Sequence, residues 1–141
     1  MKLLDVNLLV YATNRDLPQF GRVSTWFEDL MNSGERVGMP WHSLVGFVRV
    51  STQPALKNPL EMDLALQFVE EWLEWDSVWT PSPTTRHVPI LAELLRQVPR
   101  SKTVPDAHLA ALAIEHGLTL CSADADFRRF NGLQLFNPLD P

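Results

Sequence analysis

Short apolar runs alternate along this chain with longer segments whose apolar residues recur every three or four positions, and this alternation constrains the fold most. Lys2 to Val6 reads as an apolar strand continued by Leu8, Leu9 and Val10, which puts Asp5 at or near a strand's carboxyl end. Val23, Trp26, Phe27, Leu30 and Met31 describe an amphipathic helix stopped by Ser33-Gly34, and Val37 to Met39 a second strand. Pro40 opens a helix striped by Leu44, Val45, Phe47 and Val48 that must end before Pro54. Glu61 to Trp75 is a further helix, with an acidic face of Asp63, Glu70, Glu71 and Glu74. Val78-Trp79 is a third strand, and Leu91 to Val98 a helix closed by Pro99. Thr103-Val104-Pro105-Asp106 resembles a helix start, with Thr103 as cap and Gly117 as stop. Strands at Leu118 to Cys121 and Leu133 to Phe136 flank a polar turn or short helix from Asp124 to Phe130. Strands alternating with helices predict an α/β fold of three layers, α/β/α, around a central, mainly parallel sheet.

The 141 residues suit one domain spanning 1–141 and leave little room for another. No run approaches the roughly 18 apolar residues of a membrane-spanning helix, and the apolar start is broken by Asp5, so no membrane partner and a cytoplasmic location are expected. A lone cysteine, Cys121, excludes an internal disulfide, a zinc cluster and a thioredoxin-type pair. The net charge of -5 argues against a broad nonspecific grip on nucleic acid but leaves room for a local basic path.

In parallel sheets ligands gather outside the carboxyl ends of the strands, which makes acids there better site candidates than acids on helix faces. Asp5 closes the first strand, Asp124 and Asp126 follow the strand ending at Cys121, and Asp106 opens the helix preceding that strand. Each also has a plainer reading: Asp106 as a helix-start acid, Asp124 and Asp126 as turn residues, Asn7 and Ser122 as polar strand-end residues. Asp5 is harder to dismiss, because a carboxylate among Leu3, Leu4, Leu8 and Leu9 is costly unless paired. If the acids converge, each like-charge pair at about 4 Å costs about 4 kcal/mol at an effective dielectric near 20, so a cation must join them. All-oxygen ligands favour Mg2+, with Mn2+ as an alternative, and such an ion suits phosphodiester hydrolysis.

Three stretches together resemble the PIN domain ribonucleases, and more narrowly the VapC toxins of toxin-antitoxin pairs. They are Leu4-Asp5-Val6-Asn7-Leu8-Leu9, Pro105-Asp106-Ala107-His108-Leu109-Ala110-Ala111, and Ser122-Ala123-Asp124-Ala125-Asp126-Phe127 followed by Phe130 and Asn137-Pro138-Leu139. The resemblance covers essentially the whole chain and implies a Mg2+-dependent endoribonuclease acting on tRNA or ribosomal RNA. It implies Asp5, Asp106 and Asp124 as catalytic metal ligands, Asp126 as an auxiliary ligand, and Asn7 and Ser122 as residues that orient them. It also implies a VapB-type antitoxin partner and a homodimer. Many PIN domains carry a Glu in the helix after the second strand, in a pattern like Glu-Phe-x-Arg; here the stretch is Gly46-Phe47-Val48-Arg49. Gly46 cannot ligate, which weakens the case for a second ion and keeps open a catalytically weak fold that binds RNA or a partner.

Arg86, Arg96, Arg100 and Lys102 against Glu93, four cations to one acid, give residues 86–102 a net +3 and make them the candidate RNA path. Each arginine alone also reads as part of a solvated helix face. Arg128 and Arg129 can extend the path, and Trp41 or His42 can stack on an unpaired base. His42, His87, His108 and His116 have no triad or metal spacing, and none is assigned a catalytic role. Trp26, Phe27, Leu30 and Met31, with Trp41, Phe47 and Val48, suggest a groove between two helices for an amphipathic antitoxin segment, or else ordinary core. A phosphoacceptor receiver needs a second acid near Asp5 and a late lysine; Asn7 and the lack of any lysine after Lys102 argue against it.

Overall fold

The computed structural model describes residues 1–141. Its elements are β1 (Lys2–Leu4), α1 (Val6–Thr13), α2 (Phe20–Asn32), β2 (Val37–Gly38), α3 (Trp41–Ser51) and α4 (Met62–Glu74). They continue with β3 (Val78–Trp79), α5 (His87–Gln97), α6 (Val104–Glu115), β4 (Thr119–Cys121) and β5 (Leu135–Phe136), with 3-10 turns at Ser101–Thr103 and Ala125–Arg129. All five strands are parallel, in the order β3-β2-β1-β4-β5.

The central strand explains the layering. Leu3 and Leu4 are both fully buried but belong to different cores, because successive side chains leave a strand on opposite faces. Leu4 joins residues of α1, α2, α3 and α4, whereas Leu3 joins Leu94 of α5 and the almost wholly buried α6. The result is the expected α/β/α sandwich, with no helix long and apolar enough to cross a membrane.

Two local expectations are corrected. Leu8, Leu9 and Val10 do not continue the first strand; they lie in α1, which starts at Val6. The Asp5 carboxylate is the reason, since its Oδ1 accepts the Val6 N–H at 2.7 Å and caps the new helix. Thr103 does not cap α6: its backbone is already helical, and its hydroxyl donates to the carbonyls of Val98 and Arg100. Asp106 therefore stands in the first turn of α6 without a capping partner at Thr103.

The expected groove between the helices of Trp26 and Trp41 is also displaced. Leu30, Met31 and Phe47 are buried, Trp26 packs on Phe136 with centroids 6.1 Å apart, and Phe27 packs on Trp72 at 5.8 Å, so these are core. The exposed apolar surface lies instead between α3 and α4, where Trp41 (56% exposed), Val45 (61%) and Leu66 (45%) surround a shallow cavity of about 280 Å³.

Phe47 holds α3 to α4. It is fully buried, its ring 4.8 Å from Trp72 and 6.3 Å from Phe68. Replacing it with alanine is expected to cost roughly 3–5 kcal/mol, read as a lower urea midpoint at an unchanged slope.

Candidate active site

The strand order reverses at the β1/β4 pair, so the chain leaves these two neighbours towards opposite sides and opens a crevice at their carboxyl ends. Asp5 follows β1 there, and Asp124 follows β4 after Ser122-Ala123. Helix α6 runs antiparallel to the strand it feeds, which brings its first turn, with Asp106, to the same edge.

One hydroxyl organises this edge. Ser122 Oγ donates to Asp5 Oδ2 at 2.6 Å, and its lone pairs accept Asn7 Nδ2–H at 3.3 Å and the Asp124 N–H at 3.0 Å. Asn7 Oδ1 in turn accepts the Ala123 N–H at 3.3 Å, tying the start of α1 to the loop after β4. Ser122 thus bonds both Asp5 and Asp124, and Asn7 reaches them only through Ser122 and Ala123. Asp124 Oδ1 accepts the Asp126 N–H at 2.9 Å, which fixes its own carboxylate at the head of the 3-10 turn.

The carboxylates sense one another. Burial holds the Asp5 carboxyl above its ordinary range, against the lowering effect of the hydrogen bonds from Ser122 and Val6, with the nearby Asp124 charge raising it further. Asp106 is raised by burial and then by the charges of Asp124 and Asp5, which Arg129 opposes. The Arg129 guanidinium sits 3.3 Å from Asp106 Oδ2 and 3.9 Å from Asp126 Oδ2, so it is a counter-charge inside the cluster rather than part of an open basic path. Its Nε is buried without an acceptor.

The donor chemistry fits a hard divalent cation. Asp5, Asp106, Asp124 and Asp126 offer only oxygens, and the one thiol is no competitor because burial pushes Cys121 up to about 12. The acids share one edge and one field, but no three of them close on a common ion-sized point. Gly46 is also more than a missing ligand. A Cβ there would stand 2.5 Å from Val6 Cγ2, so α3 and α1 approach each other only because the position is glycine.

The predicted basic path is divided. Arg100 and Lys102 are exposed just before the first turn of α6, on the side of Asp106. Arg96 is exposed and paired with Glu93 at 3.1 Å. Arg86 donates to the Glu115 carbonyl at the far end of α6, away from the carboxylates. Arg128 faces Asp140 on the surface. One polar group escaped the sequence reading: buried Glu115 with His87 and His108. The spacing of His108 and Glu115, seven residues apart on one helix face, was a usable signal, but their partner His87 comes from another helix.

A family model described as PIN domain matches residues 2–133, nearly all of the chain. The chain belongs to the PIN domain family. It is 39% identical over 140 residues to Ribonuclease VapC37 of Mycobacterium tuberculosis, covering 98% of this chain and 97% of that one. It is 36% identical over 141 residues to Ribonuclease VapC33 of the same species, with 99% of each covered. Within the PIN domain family the chain therefore stands among the VapC ribonucleases. The fold matches VapBC2 from Rickettsia felis bound to a DNA fragment from their promoter, with a TM-score of 0.71 at 19% identity, over 96% of this chain and 97% of that one.

The raised carboxyls make a checkable statement about stability. A carboxyl raised above its ordinary value destabilises the fold once ionised, so the cost is absent below about pH 4 and complete above the raised value. Asp5→Asn keeps a capping side chain but removes the charge. In chelator at pH 7.5 it is expected to melt higher than the unaltered protein, by about 2–4 °C per kcal/mol relieved, with the gain shrinking towards pH 4. Added Mg2+ should raise only the unaltered protein's midpoint.

Proposed function

We propose that this chain is a Mg2+-dependent endoribonuclease, acting as one domain over residues 1–141, that serves as the toxin of a VapBC-type pair in the cytoplasm. The observation that carries the reading is that Asp5, Asp106 and Asp124 share one edge and one field at the strand-order reversal, with Ser122 hydrogen-bonded between the first and the last. Asp5, Asp106 and Asp124 would hold the ion, with Asp126 as auxiliary; Mn2+ suits the same donors. When bound, the ion supplies charge neutralisation at the phosphate and a more acidic water. The chain's own part is orientation: Ser122 holds the Asp5 carboxylate and the Asp124 backbone, Asn7 holds Ser122 and the Ala123 N–H, and the Asp126 N–H holds the Asp124 carboxylate.

RNA reaches an acidic crevice only if cations line its approach. Arg100 and Lys102 at the head of α6, with Arg96 in the last turn of α5, are the favoured phosphate contacts, whereas Arg86, bonded at the far end of α6, does not share that role. The relatives named ribonucleases support RNA as substrate. Transfer RNA and ribosomal RNA are the proposed classes.

Purified protein should cut bacterial tRNA or ribosomal RNA in Mg2+ and stop in excess chelator. Asp5→Asn, Asp106→Asn and Asp124→Asn should each lower the rate at least 100-fold with the fold intact by circular dichroism. Undiminished cutting by Asp5→Asn, or in chelator, overturns the metal-site reading. The second reading, a catalytically weak PIN fold that binds RNA or a partner, is favoured by Gly46 and its closed contact with Val6. It is selected if all four proteins bind RNA alike and none cuts.

The exposed apolar face between α3 and α4 supports a VapB-type antitoxin, and the solved VapBC2 complex supports the same pairing. A basic residue from that partner would meet Asp5 and Asp106, and a homodimer of the toxin would enclose further apolar surface. Coexpression with the small open reading frame beside the gene is expected to shift the protein to a larger species in size exclusion and to relieve growth arrest. Elution alone, without toxicity, would remove the toxin-antitoxin reading and leave the nuclease reading standing.

A further inference from the structure

Four side chains that the carboxylate site does not use form a line through the layer between α5 and α6 to the crevice. Glu115, whose side chain is fully buried, accepts the Thr84 N–H on Oε1 at 2.7 Å and meets His87 Nδ1 through Oε2 at 2.5 Å. His87 Nε2 lies 3.0 Å from His108 Nδ1, so both nitrogens of the buried His87 ring are engaged. The His108 ring stands edge-on to His42, centroids 5.6 Å apart at 64°. The line therefore begins at a buried carboxylate and ends at a half-buried imidazole, neither of whose nitrogens is engaged by the chain's other side chains.

His42 stands at the Asp5 edge of the crevice. It lies in the first turn of α3, and the hydroxyl of its neighbour Ser43 donates to the Leu4 carbonyl at 2.7 Å, pinning that turn against the Leu4-Asp5 junction. His42 and Gly46 are four residues apart on one face of the helix, so no longer side chain at 46 screens the ring. Its charge is felt at Asp5, which it lowers. The first turn of α3 carries no Lys or Arg, and Arg129 on the opposite side is held by Asp106 and Asp126. A phosphate backbone approaching the acids from the β2 side thus meets His42 as the only side chain of that turn able to carry a positive charge.

We propose that His42 contacts the substrate, donating a ring N–H to a phosphate oxygen of bound RNA beside Asp5, and that His108, His87 and Glu115 are positioning residues that hold its ring. The proposal rests on the ribonuclease reading. Glu115 fixes which His87 nitrogen faces it, His87 fixes the rotation of His108, and the His108 ring limits the orientations open to His42. A buried line of three polar groups is costly unless every member is satisfied, and this one is satisfied up to the end that faces the crevice.

Two replacements of His42 separate substrate contact from packing. His42→Gln keeps an N–H donor, whereas His42→Phe keeps a ring against His108 and loses the donor. Rates are read on bulk bacterial tRNA and ribosomal RNA over a range of RNA concentrations in Mg2+, with Mn2+ affinity followed separately by electron paramagnetic resonance. His42→Phe is expected to raise the apparent KM about tenfold or more, the worth of one hydrogen bond to a charged group, with kcat changed less and Mn2+ affinity unaltered. His42→Gln is expected to stay within about threefold of the unaltered protein. Glu115→Gln, which still offers His87 an acceptor, should raise KM less than His87→Ala does, both compared at matched folded fractions. If His42→Phe cuts with unchanged KM and His42→Gln does not, the residue serves packing and the proposal is overturned while the ribonuclease reading stands. Failure of the unaltered protein to cut either RNA overturns both.

Discussion

The hydrogen bond from Ser122 to Asp5 joins positions 117 residues apart, and the crevice depends on it. Pairing of β1 with β4 brings the two strand ends side by side, and the shared hydroxyl ties the Asp5 carboxylate to the backbone of Asp124. Asp5 serves two elements at once. One oxygen caps α1 and the other takes the Ser122 proton, so the residue is held by backbone and side chain together. A carboxylate so placed, among fully buried leucines, has few conformations left, which is the property a metal ligand needs.

Charge within the crevice is offset only in part by the chain's own cations. Asp5 and Asp106 are both held above the ordinary carboxylate range, first by burial and then by neighbouring acids. Arg129 supplies positive charge from the same 3-10 turn that carries Asp126. This arrangement explains why an arginine beside an acidic turn is a poor guide to an RNA path: its partners in space, not its neighbours in sequence, decide whether its charge faces solvent. Arg86 makes the same point from the opposite direction, since its guanidinium closes the end of a helix about 14 Å, at 1.5 Å per residue, from Asp106.

Helix α3 links the remaining parts. Glycine at 46 lets it approach Val6 and with it the Asp5 cap, Phe47 anchors it to α4, and Ser43 ties its first turn to β1. Its outer face carries the exposed Trp41 and Val45, which support a partner, while its first turn offers His42 to the crevice. The exposed apolar face and one edge of the crevice are thus carried by one element.

Much of this was legible in the residues alone. Amphipathic stripes located α2, α3, α4 and α5, start and stop residues located α6, and alternation of short apolar runs with helices was enough for a layered parallel sheet, because burying one stripe or both strand faces leaves few architectures. The acids after apolar runs stood out for the same reason: uncompensated charge there is expensive. The order of the strands was not legible, and neither was the end of β1, since Leu8 to Val10 are as apolar as a strand and only the Asp5 cap turns them into helix. Which aromatics are core, which arginine is a counter-ion and which histidines form a line were decided by packing between elements distant in sequence. Periodicity records which face a residue takes on its own element. Hydrogen bonds and ion pairs depend on angstrom distances between elements, and those exist only once the sheet has been assembled.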